Sequence, residues 1–233
     1  MKRIFVPTRS LDDWKTLLAK PDLHWKSGKS AMSMATAWEA NSKSLPEDIA
    51  KTLEASGDPR LQSLRLLAAF PEYQVQLPGG QTASQTDVLA LARNELGLVV
   101  LAIEGKVDEP FGPTLGEKRS EASEGLAERL VFLHKVLGID KPLPDKIRYQ
   151  LLHRTASAIM VAKDFHAATA AMMVQSFSPQ SQWFDDFAAF SHELGALVRN
   201  DSIVMVPTLS NPALYLGWST GTVPSPITIV QES

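Results

Sequence analysis

The residues of this chain best suited to chemistry are Asp87, Glu104 and Lys106, two acids and an amine flanking a strongly apolar segment. Leu98–Ile103 reads LVVLAI, a continuous run of the kind that forms a strand buried on both faces. Such strands do not normally end in charge, yet this one ends in Glu104-Gly105-Lys106. A second apolar run, Val88–Ala92, precedes it, and Asn94-Glu95-Leu96-Gly97 supplies a polar turn ending in glycine, so the two form a β-hairpin. With the turn centred between Glu95 and Leu96, Arg93 faces Leu98, Leu91 faces Val100 and Asp87 faces Glu104. Side chains alternate along strands, which puts Asp87, Glu104 and Lys106 on one sheet face. Opposed residues lie about 4.5–5.5 Å apart at Cβ, where like charges repel. Two carboxylates so placed call for a shared proton or a divalent cation, and a neighbouring lysine suits a site that handles negative charge.

The elements that position these groups can be read along the chain. Arg3–Pro7 reads as a short strand, and Ser10 caps a helix running to about Lys20. Pro21–Gly28 reads as loop, and helices follow over Ser30–Asn41, from Leu45 to Gly57, and over Pro59–Phe70. Tyr73–Leu77 alternates as a strand with one wet face, and Pro78-Gly79-Gly80 turns the chain into the hairpin. After the hairpin, Val107–Gly116 is an acidic loop placed to overhang the site. Leu126, Leu130, Leu133 and Leu137 mark a helix closed by Gly138. In the next helix, Asp145–Asp164, Tyr149, Leu152, Ala156 and Ile159 form an apolar stripe. Lys146, Gln150, His153, Arg154 and Ser157 form a polar stripe at the same spacing, placed to approach a substrate phosphate. Ala167–Phe177 is an interior strand, Trp183–Leu194 a helix, and Ile203–Val206 and Leu214–Trp218 late strands, the first at an edge because of Pro207. A loose tail opens at Thr222.

Bulk composition narrows the class. With 44% hydrophobic and 21% charged residues, the chain is an ordinary globular one. It contains no cysteine, which excludes disulfides and thiolate metal sites and suits a reducing, cytoplasmic setting. The opening MKRIFVPTRSLDDW holds no apolar run of signal-peptide length, and no segment is apolar enough to span a membrane. A net charge of −3 argues against indiscriminate nucleic-acid binding but leaves room for local basic surface, and residues 1–31 and 141–166 are both rich in Lys and Arg. No Gly-x-x-x-x-Gly-Lys phosphate loop, Gly-x-Ser-x-Gly elbow or closely spaced histidine pair is present, which disfavours a nucleotide-triphosphatase, serine-hydrolase or histidine–zinc reading.

The expected order around the hairpin is helix, three strands, helices, strand. With one inserted helix it is similar to the core of the restriction-endonuclease-like fold. Thr86-Asp87 followed by Glu104-Gly105-Lys106 resembles the PD-(D/E)XK nuclease signature. The blocks EGKVDEPFGPT and IRYQLLHRTASAI resemble those of a bacterial branch of that superfamily. The resemblance covers roughly residues 59–177 and implies an α/β domain with a mixed sheet flanked by helices over 59–233, preceded by a strand and helical extension over 1–58. It also implies that Asp87, Glu104 and the carbonyl of Gly105 bind Mg²⁺ or Mn²⁺, and that Lys106 orients the attacking water and steadies charge on the phosphate. Gln150 would match the glutamine that some members carry on the later helix. Thr86 stands in place of the signature's proline, and Glu72 stands in for an acid often found before the sheet. The expected function is metal-dependent phosphodiester cleavage of DNA or RNA. The alternative is a non-catalytic interaction or regulatory module that keeps the fold. A homodimer is compatible with a domain of this size.

Overall fold

A computed structural model of the chain describes Ile4 and residues 10–223. Four helices come first: α1 (Leu11–Lys15), α2 (Pro21–His24), α3 (Ser30–Ala40) and α4 (Glu47–Ala55). Three strands follow, β1 (Arg65–Val75), β2 (Ser84–Asn94) and β3 (Gly97–Lys106), then helices α5 (Leu115–Ser120), α6 (Glu124–Leu137) and α7 (Tyr149–Asp164). The chain continues through β4 (Thr169–Ser176), α8 (Phe184–Glu193), β5 (Ser202–Ser210) and β6 (Ala213–Thr220). The strands form one six-stranded mixed sheet in the order β1-β2-β3-β4-β6-β5. The fold class is therefore α/β, a mixed sheet flanked by helices.

The hairpin register is the one expected from its turn: Arg93 pairs with Leu98, Leu91 with Val100 and Val88 with Ile103. Asp87 and Glu104 are thus the next residues beyond the last pair. β3 and β4 run parallel, with Val99 opposite Thr169 and Lys106 opposite Ser176, and the connection between them carries α5, α6 and α7. Alternation along β3 divides the core. Val100 and Ala102 face a cluster containing Leu151, Leu152, Ala156 and Ile159 of α7. Val99, Leu101 and Ile103 face the opposite cluster with Met34 and Trp38 of α3 and Ile49 and Leu53 of α4. Helices α3 and α4 therefore supply the layer on that face of the sheet.

Several expectations need correction. Residues expected to form a helix over Pro59–Phe70 instead form turns and then the first half of β1. Leu66–Phe70 is a short apolar run, and spacing alone does not separate a buried strand from a helix there. Pro71 stops nothing, because β1 is an edge strand and tolerates a missing N–H. The helix expected from Ser10 to Lys20 closes at Lys15, and the loop expected over Pro21–Gly28 contains the single turn α2. The helix expected from Asp145 begins at Tyr149. The Thr114 cap, whose Oγ1 accepts from the Glu117 N–H, starts an unforeseen helix, α5. Of the expected strand Arg3–Pro7 only Ile4 lies within the described residues, bridging to Ala69, and the tail beyond Val223 lies outside them. Among the described residues no helix is long and apolar enough to cross a membrane.

Gly105 shows how tightly the layers meet at the end of β3. A Cβ built there would collide with the Met34 side chain of α3 and lie 3.3 Å from Asp87 Oδ2. Gly105→Ala should destabilise the fold by about 1–3 kcal/mol, the usual range for overpacking a filled core. Urea denaturation of the two proteins measures this, and equal midpoints would mean that α3 shifts freely.

Candidate active site

The floor of the site is a buried carboxylate. Glu104 is 3% exposed and Lys106 4%, two residues apart on the α7 face of β3. Burying an isolated charge is costly, so it must be paired and hydrogen-bonded. Lys106 Nζ and Gln150 Nε2 both donate to Glu104 Oε1, each at 2.7 Å. Arg154 Nε donates to Oε2 at 2.8 Å. Burial works to raise the Glu104 pKa, but Lys106 and Arg154 outweigh it and hold the carboxyl down at about 2. Lys106 Nζ also lies 4.9 Å from the centre of the Phe111 ring, a cation–π contact that fixes its head.

Arg154 extends the network into β2. Its Nη1 donates to Ser84 Oγ at 3.1 Å, and Ser84 Oγ lies 2.8 Å from His153 Nδ1. A guanidinium only donates, so the serine oxygen accepts from it, and the imidazole tautomer sets which of Ser84 and Nδ1 donates to the other. Burial, then the charge of Arg154, pushes the His153 pKa well below its usual value, so the ring is neutral.

Asp87 has a different environment. Its Oδ2 accepts from the Gly105 N–H at 2.7 Å, and no ion pair reaches it among the described residues. Burial and then the Glu104 charge raise its pKa to about 7. Glu72 lies between the pairs Pro71–Val88 and Tyr73–Thr86, which puts it opposite Asp87 in the β1–β2 register. Its φ of 52° is a left-handed conformation rare outside glycine, of the strained kind that gathers at functional sites. Glu72 Oε2 accepts from Gln85 Nε2 at 2.7 Å, and burial and Asp87 push its pKa up to about 9. The repulsion expected between Asp87 and Glu104 is therefore felt at Asp87, since Lys106 and Arg154 hold Glu104 ionised, and Asp87 in turn raises Glu72.

These groups line one cleft of about 780 Å³. Asp87, Glu104, Lys106, Gln150, His153, Arg154 and Glu72 all face it. Lys146 and Ser157 do not. Lys146 precedes α7 and is exposed, and Ser157 Oγ donates to the His153 carbonyl of its own helix. Gly105 contributes its N–H to Asp87. Sequence reasoning passed over Ser84, Gln85 and Phe111. Only Phe111 carried a local signal, through its place in the loop expected to overhang the site.

Two glycines close one wall of the cleft. Gly79 packs against α6 so tightly that a Cβ would strike the Gly125 carbonyl, and a Cβ on Gly125 would come within 2.7 Å of the Gly79 oxygen. Arg129 clamps the same loop by donating to the carbonyls of Leu77, Pro78 and Gly80. On the other side, Lys29 Nζ meets Asp108 at 2.7 Å and the Ser30 N–H donates to Glu109 at 2.9 Å, tying the start of α3 to the loop after β3.

The donors suit a hard divalent cation in kind: carboxylate oxygens, two of them on acids whose pKa values burial and a neighbouring carboxylate raise, and a buried Gln150 Oε1 without a partner. As the side chains stand, no three His, Asp or Glu residues among those described gather closely enough to enclose a metal ion. Glu104 Oε1 already accepts twice, while Oε2 accepts once, from Arg154, and keeps a lone pair for a ligand.

The paired acids give the protein a pH signature. Carboxyls whose pKa values rise on folding bind more protons folded than unfolded between the two values, so stability falls as pH climbs through that window. For Asp87 the window runs from 3.8 to about 7 and for Glu72 from 4.5 to about 9. Without metal, the wild type should lose stability between pH 5 and 8, and Glu72→Gln/Asp87→Asn should lose much less. Urea midpoints at three pH values decide it, and parallel curves would show that the acids are ionised throughout.

The chain matches a family model described as a domain of unknown function (DUF6946) over residues 7–223. No curated protein and no solved structure is similar enough to count as a match. The match spans nearly the whole sequence, fold and cleft included, so the chain belongs to the DUF6946 family.

Proposed function

We propose that this protein is a metal-dependent phosphodiesterase acting on nucleic acid, with a core of the restriction-endonuclease-like kind. The observation that carries the reading is the convergence of Asp87, Glu104 and the Lys106 amine on one cleft at the open end of the β2–β3 hairpin. Glu72, Asp87 and Glu104 offer oxygen donors to Mg²⁺ or Mn²⁺, which when bound would supply Lewis-acid activation of water and neutralise phosphate charge. In the reaction, a water oxygen forms a bond to phosphorus and the bond to the leaving alcohol oxygen breaks. The leaving oxygen takes up a proton, giving a phosphate monoester and an alcohol. Lys106 holds a positive charge on the cleft floor, where the phosphate oxygens gain charge in the transition state. Arg154 and Gln150 fix the Glu104 carboxylate from α7.

A second reading, a non-catalytic interaction module, is favoured by one observation: three donors of the protein already hold the Glu104 carboxylate.

Cleavage of labelled DNA and RNA with Mg²⁺ or Mn²⁺, with and without chelator, separates the two. Asp87→Asn, Glu104→Gln and Lys106→Ala should each cut activity by about a hundredfold or more, the scale on which catalytic charge is lost. Mn²⁺ at a hundredfold excess over Kd should stabilise the wild type by about 2.7 kcal/mol. Since Glu72 and Asp87 must shed protons to bind it, affinity should rise from pH 6 to pH 8 with measurable proton release. Calorimetry in buffers of different ionisation enthalpy reads that release. An equal response to Mn²⁺ in Asp87→Asn would place the ion elsewhere and favour the interaction module.

A further inference from the structure

The shape and charge of the cleft bear on what could enter it. Glu104 and Lys106 lie at its floor, and Arg154 beside them is only 8% exposed. The lining comes from Leu18, Ala19, His24, Ser30 and Ala31 ahead of the sheet, from the Gly79–Gly80 loop with α6, and from the Phe111 loop with α5. A duplex is a stiff rod, with a persistence length of about 50 nm, and carries its phosphates on the outside. Glu104 and Lys106 are 3% and 4% exposed, and phosphates held on the outside of a rigid rod do not reach side chains so buried. The cleft volume of about 780 Å³ falls in the range of ~300–1,000 Å³ typical of pockets that enclose a single small molecule.

The charges agree with the shape. The lining acids are Glu72, Asp87, Glu104, Glu109 and Glu121, against Lys106, Lys118, Arg129 and Arg154. Each of those cations is already engaged. Lys106 and Arg154 hold Glu104, Lys118 Nζ is 2.6 Å from Glu121 Oε2, and Arg129 holds the loop carbonyls. A protein that follows a phosphate backbone needs a row of free Lys and Arg. This cleft has none and can serve one or two phosphates at its floor, while Leu18, Ala31 and Leu126 on the walls offer apolar surface to a base or sugar.

We propose that the cleft takes one nucleotide-sized unit bearing one or two phosphates, either the end of a single strand or a short free oligonucleotide, and excludes the interior of a duplex. This rests on the phosphodiesterase reading for the chemistry but not for the binding, so the two can fail separately.

The test is fluorescence anisotropy of the full chain in chelator, with a linear single-stranded oligonucleotide labelled internally, its circularised form and a blunt duplex. The linear strand should bind at least tenfold tighter than the circle or the duplex. Its log K should fall with log salt at a slope of only about −0.7 to −1.4, the value for one or two phosphates on a single strand. Leu126→Trp, which narrows the cleft without touching a charged group, should weaken binding about tenfold. A dinucleotide that displaces the strand at comparable concentration would identify small free nucleotides as the ligand, and a strand bound at least tenfold tighter would identify the terminus. Either result supports the proposal. Equal binding of circle or duplex, a slope steeper than about −3, no binding of any probe, or indifference to Leu126→Trp overturns it. A parallel arm with Mg²⁺ or Mn²⁺ separates the two readings. Cutting within duplex DNA would keep the phosphodiesterase and refute this substrate class. End-selective binding without any cutting would keep the substrate class and remove the catalysis.

Discussion

The architecture depends on keeping the Glu104 carboxylate ionised where water hardly reaches it. That requires Lys106 on the same strand face and Arg154 and Gln150 on α7, so helix and strand are locked in one relative position. Removing one partner from a buried ion pair typically costs about 3–5 kcal/mol, because the other charge is left uncompensated. Arg154 also reaches Ser84, so the same constraint fixes where β2 begins. Lys106 and Arg154 pair directly with Glu104 and act on Asp87 too weakly to outweigh burial, so Asp87 and Glu72 keep raised pKa values. Both the stability and the reactivity of the cleft follow from that unequal sharing of positive charge.

The opposite face of the sheet handles a buried acid in another way. Asp48 of α4 accepts from Gln175 Nε2 at 2.8 Å and from Ser219, and Gln175 in turn accepts from the Trp38 indole at 3.1 Å. Burial raises the Asp48 pKa, and the hydrogen bonds only partly offset it. This cluster serves to dock α3 and α4 on β4 and β6. Two polar networks thus sit back to back across one sheet.

Much of this was legible in the sequence, for identifiable reasons. The hairpin register follows from a glycine-ended turn between two apolar runs, and it carried Asp87, Glu104 and Lys106 to one face. The helical spacing of Gln150, His153 and Arg154 placed them on that face as well. The same stripe failed at its ends. Lys146 lies before the helix starts, and Ser157 is satisfied by the backbone one turn earlier, which spacing cannot reveal. Pro59–Phe70 misled because a short apolar run suits a strand as well as a helix. Glu72 gained its position through a left-handed backbone angle at a non-glycine residue, and Ser84 through a partner 69 residues away. Neither leaves a local pattern.

The backbone contact between Gly79 and Gly125 has a consequence for how sequences of this kind can drift. Neither position accepts a side chain while the other stays in place, and Gly79 also needs its positive φ of 76°. A mutation at one cannot be repaired by shrinking its neighbour, since the neighbour has nothing left to lose. Among homologues that keep the Arg129 clamp, the two glycines should persist as a pair or vanish together when the loop is rebuilt. Where both are lost, the cleft wall will have been remodelled, and such lineages are where a change of ligand would first arise.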